Sequence, residues 1–352
     1  MTTADVEKSL HGEKAQYHGG LHRVARDCYA YLQPNGGLGE SNVGLVVGGG
    51  STVVIDTCWD HDQARRMLDA AAPVLAANPI TTVINTHSNG DHWWGNAVMP
   101  ADVEIITSRD SRNAMDRENR VAVASLTTAL KIGAKLPLPG SLRQVISVAR
   151  EEFGPFNFWG VTVRYPTKTF TGSTEVPIGD RVLDLVQVGP AHTPGDLMVF
   201  DRDRKVVFAG DILFIGPTPI MWDGPARNWI KALEMIAEFK PAAIVPGHGP
   251  LATLDDIADQ HAYFVWLQAT ATAMCRAGVD PVDAAVRMLT SDTFLSNRWS
   301  SWDRPESILA GIKATYRDVA GAKPGLNQFQ MLGTMRGTQT VAARLRREGL
   351  QP

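Results

Sequence analysis

The chain has 352 residues, a formal net charge of −3, and apolar and charged fractions of 44% and 20%, enough for one large domain or a domain with an extension. That charge balance gives no general attraction to nucleic acid or to an anionic membrane, so neither is expected as a partner. Cys28, Cys58 and Cys275 are too few and too widely spaced for a disulfide framework or a CxxC metal site, which points to a reducing compartment. The residues after Met1 lack a signal-peptide pattern, and no apolar run reaches the ~18 residues of a membrane span. A cytoplasmic protein is the expectation.

In chain order, residues 1–20 are polar and read as a flexible N-terminal segment. Strands are predicted at 26–32, 43–47 and 52–55, with Gly48-Gly49-Gly50 as a hairpin turn. A phosphate loop would need a following helix with Lys-Ser/Thr, which is missing. Apolar spacing predicts a helix over 61–75, then a strand at 81–84 that ends in Thr86-His87-Ser88-Asn89-Gly90-Asp91-His92-Trp93-Trp94. A strand at 103–107 precedes a helical stretch, about 111–150, too long for a plain connector and read as an insertion. Strands return at 161–165, 182–188, 197–200 and 206–209. An amphipathic helix at 228–239 and a short strand at 242–245 follow. From Asp255 onward the signals are helical: 255–277, 281–289, 305–320 and 327–347.

Four of the nine histidines, His87, His92, His192 and His248, fall in Gly- or Pro-rich loops at strand ends, as do Asp91 and Asp211. Chemistry concentrates in such loops. Imidazole nitrogen with carboxylate oxygen suits zinc, or iron or manganese where carboxylates dominate. The remaining histidines, His11, His18, His22, His61 and His261, read as ordinary surface or core residues.

His87-Ser-Asn89-Gly-Asp91-His92 resembles the HxHxDH signature of the metallo-β-lactamase-fold hydrolases. The later motifs agree in order: His192 in Gly189-Pro-Ala-His-Thr-Pro-Gly-Asp196, Asp211 in Phe208-Ala-Gly-Asp211, His248 in Pro246-Gly-His-Gly249, and Asp56 in Val54-Ile-Asp-Thr57. The resemblance covers roughly 25–255. It implies an α+β fold, a four-layer αββα sandwich, here with a helical insertion and an α-helical C-terminal extension. The corresponding division is a segment 1–20, a catalytic domain 21–255 and an extension 256–352.

The resemblance further implies one metal position at Asp91, His92 and His248 with Asp211 adjacent, and another at His87, position 89 and His192. Asn89 departs from the pattern, because an amide oxygen is a far poorer zinc ligand than imidazole. One tight zinc with a weak or absent second metal is the preferred arrangement, with His87, Asn89 and His192 then positioning water or substrate. A dinuclear site in which Asn89 donates its oxygen, or yields to water, is the alternative. Metal-activated water would attack the scissile group, Asp91 would orient that water and take its proton, and Asp56 would fix ligand orientation.

Trp59, Trp93, Trp94 and Trp222 lie on loops around these residues and could wall an apolar pocket or pack the sheet edges. The C-terminal aromatics Trp299, Trp302 and Tyr316 suit core packing or a homodimer. The predicted activity is hydrolysis of an ester, lactone, amide or related bond in a small molecule. The rivals are an iron-dependent oxidoreductase on the same ligands and a metal-poor binding protein.

Overall fold

A computed structural model describes residues 8–133, 135–136, 146, 150, 153–326 and 328–349. Seven strands form one sheet in sequence order: β1 (Gly20–Ala25), β2 (Cys28–Leu32), β3 (Val43–Gly48), β4 (Ser51–Ile55), β5 (Ile80–Ile84), β6 (Glu104–Ser108) and β7 (Lys168–Phe170). The first four run antiparallel, and β4 to β7 pair in parallel. The second sheet has the order β12-β11-β10-β9-β8. Its strands are β8 (Ser173–Ile178), β9 (Arg181–Gln187), β10 (Leu197–Asp201), β11 (Val206–Phe214) and β12 (Ala243–His248).

Alternation along the strands builds three layers of core. Val46, Val53, Ile55, Ile84 and Ile106 face Leu183, Leu185, Val199, Phe208 and Val245 between the sheets. Gly44 belongs to this interface because a Cβ there would lie 2.5 Å from the Phe208 ring. On the outer face of the first sheet, Leu45, Val54 and Ile105 pack on Ala64, Met67 and Ala71 of α1 (His61–Leu75). That helix starts where expected because Asp60 and Gln63 form a reciprocal capping box.

The outer face of the second sheet is covered by α4 (Ala226–Phe239), α5 (Leu254–Arg276), α6 (Pro281–Leu289), α8 (Ile308–Val319) and α9 (Gln328–Arg347), with the short α7 (Asp292–Leu295) between them. Trp229, Phe264, Leu267, Ile308 and Ile312 meet Phe200, Val207 and Ile212 there. The αββα sandwich with a helical C-terminal extension is thus realised. Among the described residues, no helix is long and apolar enough to cross a membrane.

Two expectations need correction, and the helical insertion holds over the residues described. The polar segment before β1 is held in place over residues 9–19. Leu10 N donates to Glu40 Oε1 at 2.5 Å and Gln16 N to Asn35 Oδ1 at 2.7 Å, and Tyr17 OH bonds the Gln33 carbonyl. Residues 161–165 form no strand. Arg164 bends the chain by donating to the carbonyls of Met99, Pro100, Ala101 and Val103, and Val161 turns into an aromatic cluster. The described part of the helical insertion consists of α2 (Arg109–Ala114) and α3 (Arg120–Gly133). Of 134–150, only residues 135, 136, 146 and 150 are among those described.

A buried ion pair ties the two sheets. Arg181 pairs with Asp201 on the second sheet and donates to the Val47 carbonyl on the first; both charged residues are buried. Removing one partner strands the other in the interior. Arg181→Met should therefore lower the unfolding free energy by about 3–5 kcal/mol, measured by urea denaturation of the metal-free protein.

Candidate metal centre

Asp211 is the hub of the site. Its carboxylate is buried on β11, before the strand ends at Phe214, and four imidazole Nε2 atoms surround it. His92 lies 3.2 Å from Oδ1, while His192, His248 and His87 lie 3.3, 3.5 and 3.7 Å from Oδ2. Asp91 Oδ2 adds a second carboxylate, 3.4 Å from His248 Nε2 and 3.6 Å from His92 Nε2. All six side chains are buried.

Each ligand arrives on a strand end or the loop beside it. His87 to His92 follow β5, Asp211 ends the regular part of β11, and His248 ends β12. Asp56 follows β4 with φ at +66°, a conformation that a β-carbon disfavours. Its carboxylate repays that strain by accepting from Thr86 N and Thr86 Oγ1 and by lying against His92 Nδ1, all at 2.8 Å. Thr86 Oγ1 in turn lies 3.0 Å from His87 Nδ1. The His192 loop closes on Asp196, which accepts from Ala191 N and Thr193 N, and His192 Nδ1 sits 2.5 Å from the Ile220 carbonyl. Occupying Nδ1 in this way turns each Nε2 towards Asp211.

The donor set fits a divalent cation. Nε2 of His87, His92 and His192 and Oδ1 of Asp211 are buried with no hydrogen-bond partner, which is costly unless something else satisfies them. Two groups bring one donor atom per residue within 4.8 Å of one another: His87, His92 and Asp211, and Asp91, His92 and His248. Both need the single Nε2 of His92. Asn89 is half-buried and caps the one-turn helix Gly90–His92 with its backbone alone.

Without a cation, protons supply the compensating charge. Burial opposes ionisation of Asp211, yet the imidazoles of His92, His248 and His87 outweigh it and hold the carboxyl well below its ordinary range. Burial likewise disfavours the charged form of His248, but Asp211 and Asp91 overcome it and push the imidazole up to about 9. His87 moves the other way, lowered by burial and by neighbouring His92.

Of the two readings of the tryptophans, packing holds for three of the four. Trp93 and Trp94 are 1% and 0% exposed and, with Trp59, pack against Phe156 and Phe158, so they back the ligand loop. A Cβ at Gly90 would lie 2.7 Å from both Trp59 Nε1 and the Trp94 ring, which explains glycine there. Trp222 alone of the four is half-buried, and its N–H points to the His192 carbonyl at 3.2 Å.

Sequence reasoning missed Thr86, Ser41 and Glu118. Ser41 Oγ donates to the Asp91 carbonyl at 2.6 Å. Glu118 Oε2 accepts from Gly90 N at 2.6 Å, and burial pushes its carboxyl up to about 7. Thr86 adjoins His87 and was within reach of the motif; nothing in the sequence around Glu118 marks it.

The structure is a two-sheet αββα sandwich with a cluster of metal-ligand-type side chains at one edge. The family model of the metallo-β-lactamase superfamily matches residues 36–248, and the chain belongs to that superfamily. It is 24% identical over 243 residues to the α subunit of a 2,4-dinitroanisole O-demethylase of Nocardioides sp., covering 67% of this chain and 60% of that one. It is 26% identical over 230 residues to an acyl-coenzyme A thioesterase of Bos taurus, covering 59% and 73%. An alkyl/aryl-sulfatase of Saccharomyces cerevisiae is 24% identical over 203 residues, covering 53% and 29%. Among solved structures, the sec-alkylsulfatase Pisa1 of Pseudomonas sp. matches with a TM-score of 0.65 at 18% identity, over 86% of this chain. The chain spans half of that enzyme's length. The metallo-β-lactamase FIM-1 of Pseudomonas aeruginosa, in its mono-zinc form, matches with a TM-score of 0.50 at 17% identity, over 70% and 94%.

Two outcomes follow from this geometry. A cation must displace protons from His92 and His248, so affinity should fall as pH drops below about 9, and binding should release protons. Calorimetry in buffers of different ionisation enthalpy measures that release. Asp56→Ala frees His92 to rotate and should weaken metal binding by about 10–100-fold, read by competition with a chromophoric chelator.

Proposed function

We propose that the protein is a metal-dependent hydrolase of small molecules, with zinc as its preferred cation, acting on an ester, thioester, lactone or related bond. The observation that carries this reading is the group of buried, inward-facing Nε2 atoms around Asp211, three of them unpartnered. Asp91, His92 and His248, with Asp211 beside them, would hold the cation. A bound divalent cation acidifies water and polarises the group under attack.

The protein's own residues supply the remainder. Asp91 is the more exposed of the two central carboxylates, with 12% of its side chain accessible against 4% for Asp211. It is therefore placed to orient a water at the mouth and take its proton. His192 and His87 face Asp211 Oδ2 and would orient the substrate's polar group. Because both donor groups need the one Nε2 of His92, and Asn89 brings no imidazole, we favour a single firmly held metal. The thioesterase and sulfatase among the relatives support bonds of the ester type over amides.

The test is metal analysis of protein purified without added metal, together with turnover of a panel of aryl esters, acyl thioesters, lactones and sulfate esters. We expect about one metal per chain and activity that disappears on chelation and returns with zinc. Asp91→Ala should lower turnover by about 10²–10⁴-fold, the range typical of a lost general base. Firm retention of two metals per chain would overturn the single-metal reading, and hydrolysis that survives complete chelation would overturn the whole. Asn89→His should add affinity for a second metal.

A further inference from the structure

The ligand loop is held from one side by a residue that belongs to no motif. We propose that Glu118, carried on the segment between α2 and α3, is a positioning residue for the metal centre, anchoring the loop at the peptide that joins Asn89 to Gly90. The proposal rests on the metal-binding reading above.

The geometry is specific. Glu118 Oε2 accepts the Gly90 N–H at 2.6 Å, and hydrogen bonds to a carboxylate are among the stronger ones. Gly90 is otherwise enclosed by the Trp59 indole nitrogen and the Trp94 ring, which leave no room for even a β-carbon, and its carbonyl accepts from Trp93 N at 3.2 Å. Asn89 offers no side-chain cap to the same turn. Gly90 immediately precedes Asp91, whose carbonyl is fixed on the other side by Ser41. The carboxylate of Asp91 thus hangs between two anchors, and loss of the Glu118 anchor frees one end.

The neighbouring side chain extends the same segment to the other half of the site. Arg117 Nη1 lies 3.7 Å from Asp223 Oδ2, and the backbone N–H groups of Trp222 and Asp223 point to the His192 carbonyl at 3.2 and 3.3 Å. One dipeptide of the insertion therefore reaches the His87–His92 loop directly and the His192 loop through the peptides of Trp222 and Asp223. A segment serving only as a cover would need neither contact.

The experiment is a Co2+ titration of the full chain, following the visible absorption spectrum and the affinity by chelator competition, alongside thermal melting of the metal-free protein. Wild-type protein that binds no Co2+ would sink the metal-binding reading itself. Given wild-type binding, Glu118→Leu should weaken Co2+ by about 10–100-fold and shift the visible bands, because Asp91 is no longer held in place. Glu118→Gln keeps an acceptor oxygen for the Gly90 N–H and should return both readouts close to wild type. A Glu118→Leu protein with wild-type affinity and spectrum overturns the proposal, as does a Glu118→Gln protein that behaves like Glu118→Leu. An unchanged spectrum with only a lowered melting temperature also overturns it, since that is the mark of a structural role. If Glu118→Leu does not fold, Glu118→Ser is judged by the same outcomes.

Discussion

The arrangement at the sheet edge depends on one constraint: a carboxylate, Asp211, is buried where four imidazoles converge on it. An isolated carboxylate in such a place would be neutralised or would destabilise the fold. An isolated cluster of imidazoles would lose its charge in the same way. Together they settle only when positive charge, as protons or as a cation, is shared among them. The sandwich brings this about by ending β4, β5, β11 and β12 at the same edge, so that loops from both sheets deliver their polar residues to one point.

Packing around that point serves rigidity more than access. Trp93 and Trp94 follow directly on His92, and their rings are enclosed with Trp59, Phe156 and Phe158. Aromatic bulk fixes Gly90 by occupying the space a side chain would need. Hydrogen bonds then set the remaining freedom: Asp56 orients His92, the Ile220 carbonyl orients His192, and Ser41 holds Asp91. Ligands held this way meet a cation with little reorganisation.

The cluster of histidines and aspartates that the structure brings together was legible in the sequence because such residues at strand ends among glycines have few structural reasons to be there. The helix 61–75 was legible too from its apolar spacing, and the Asp60 capping box seen in the structure agrees with it. What escaped was set by contacts distant in sequence. β8 alternates weakly, with Ser173 and Glu175 exposed, and its place at the sheet edge comes from pairing with β9. The apolar 161–165 looks like a strand until Arg164 is seen to cap four carbonyls some sixty residues away. Tryptophan beside a metal motif does not reveal whether its ring faces ligand or core, and here tertiary packing decided for core at Trp93 and Trp94.

Asn89 and Glu118 together show how a departure from a motif alters its surroundings. A loop of six residues carrying three ligand-type side chains is stiffened in proportion to the bonds those side chains make. With an amide at position 89 whose side chain makes no cap bond, the backbone between Asn89 and Asp91 depends on other partners. The insertion supplies one through Glu118, the tryptophans supply steric closure, and Ser41, just before β3, supplies the last. Asp91 and His92 are thereby fixed by Glu118 through Gly90, by Ser41 and by Asp56. The half shared by His87 and His192 keeps imidazoles that face Asp211 and a half-buried Trp222 alongside. That asymmetry suits a centre in which one side holds a cation firmly and the other receives the polar group of a substrate.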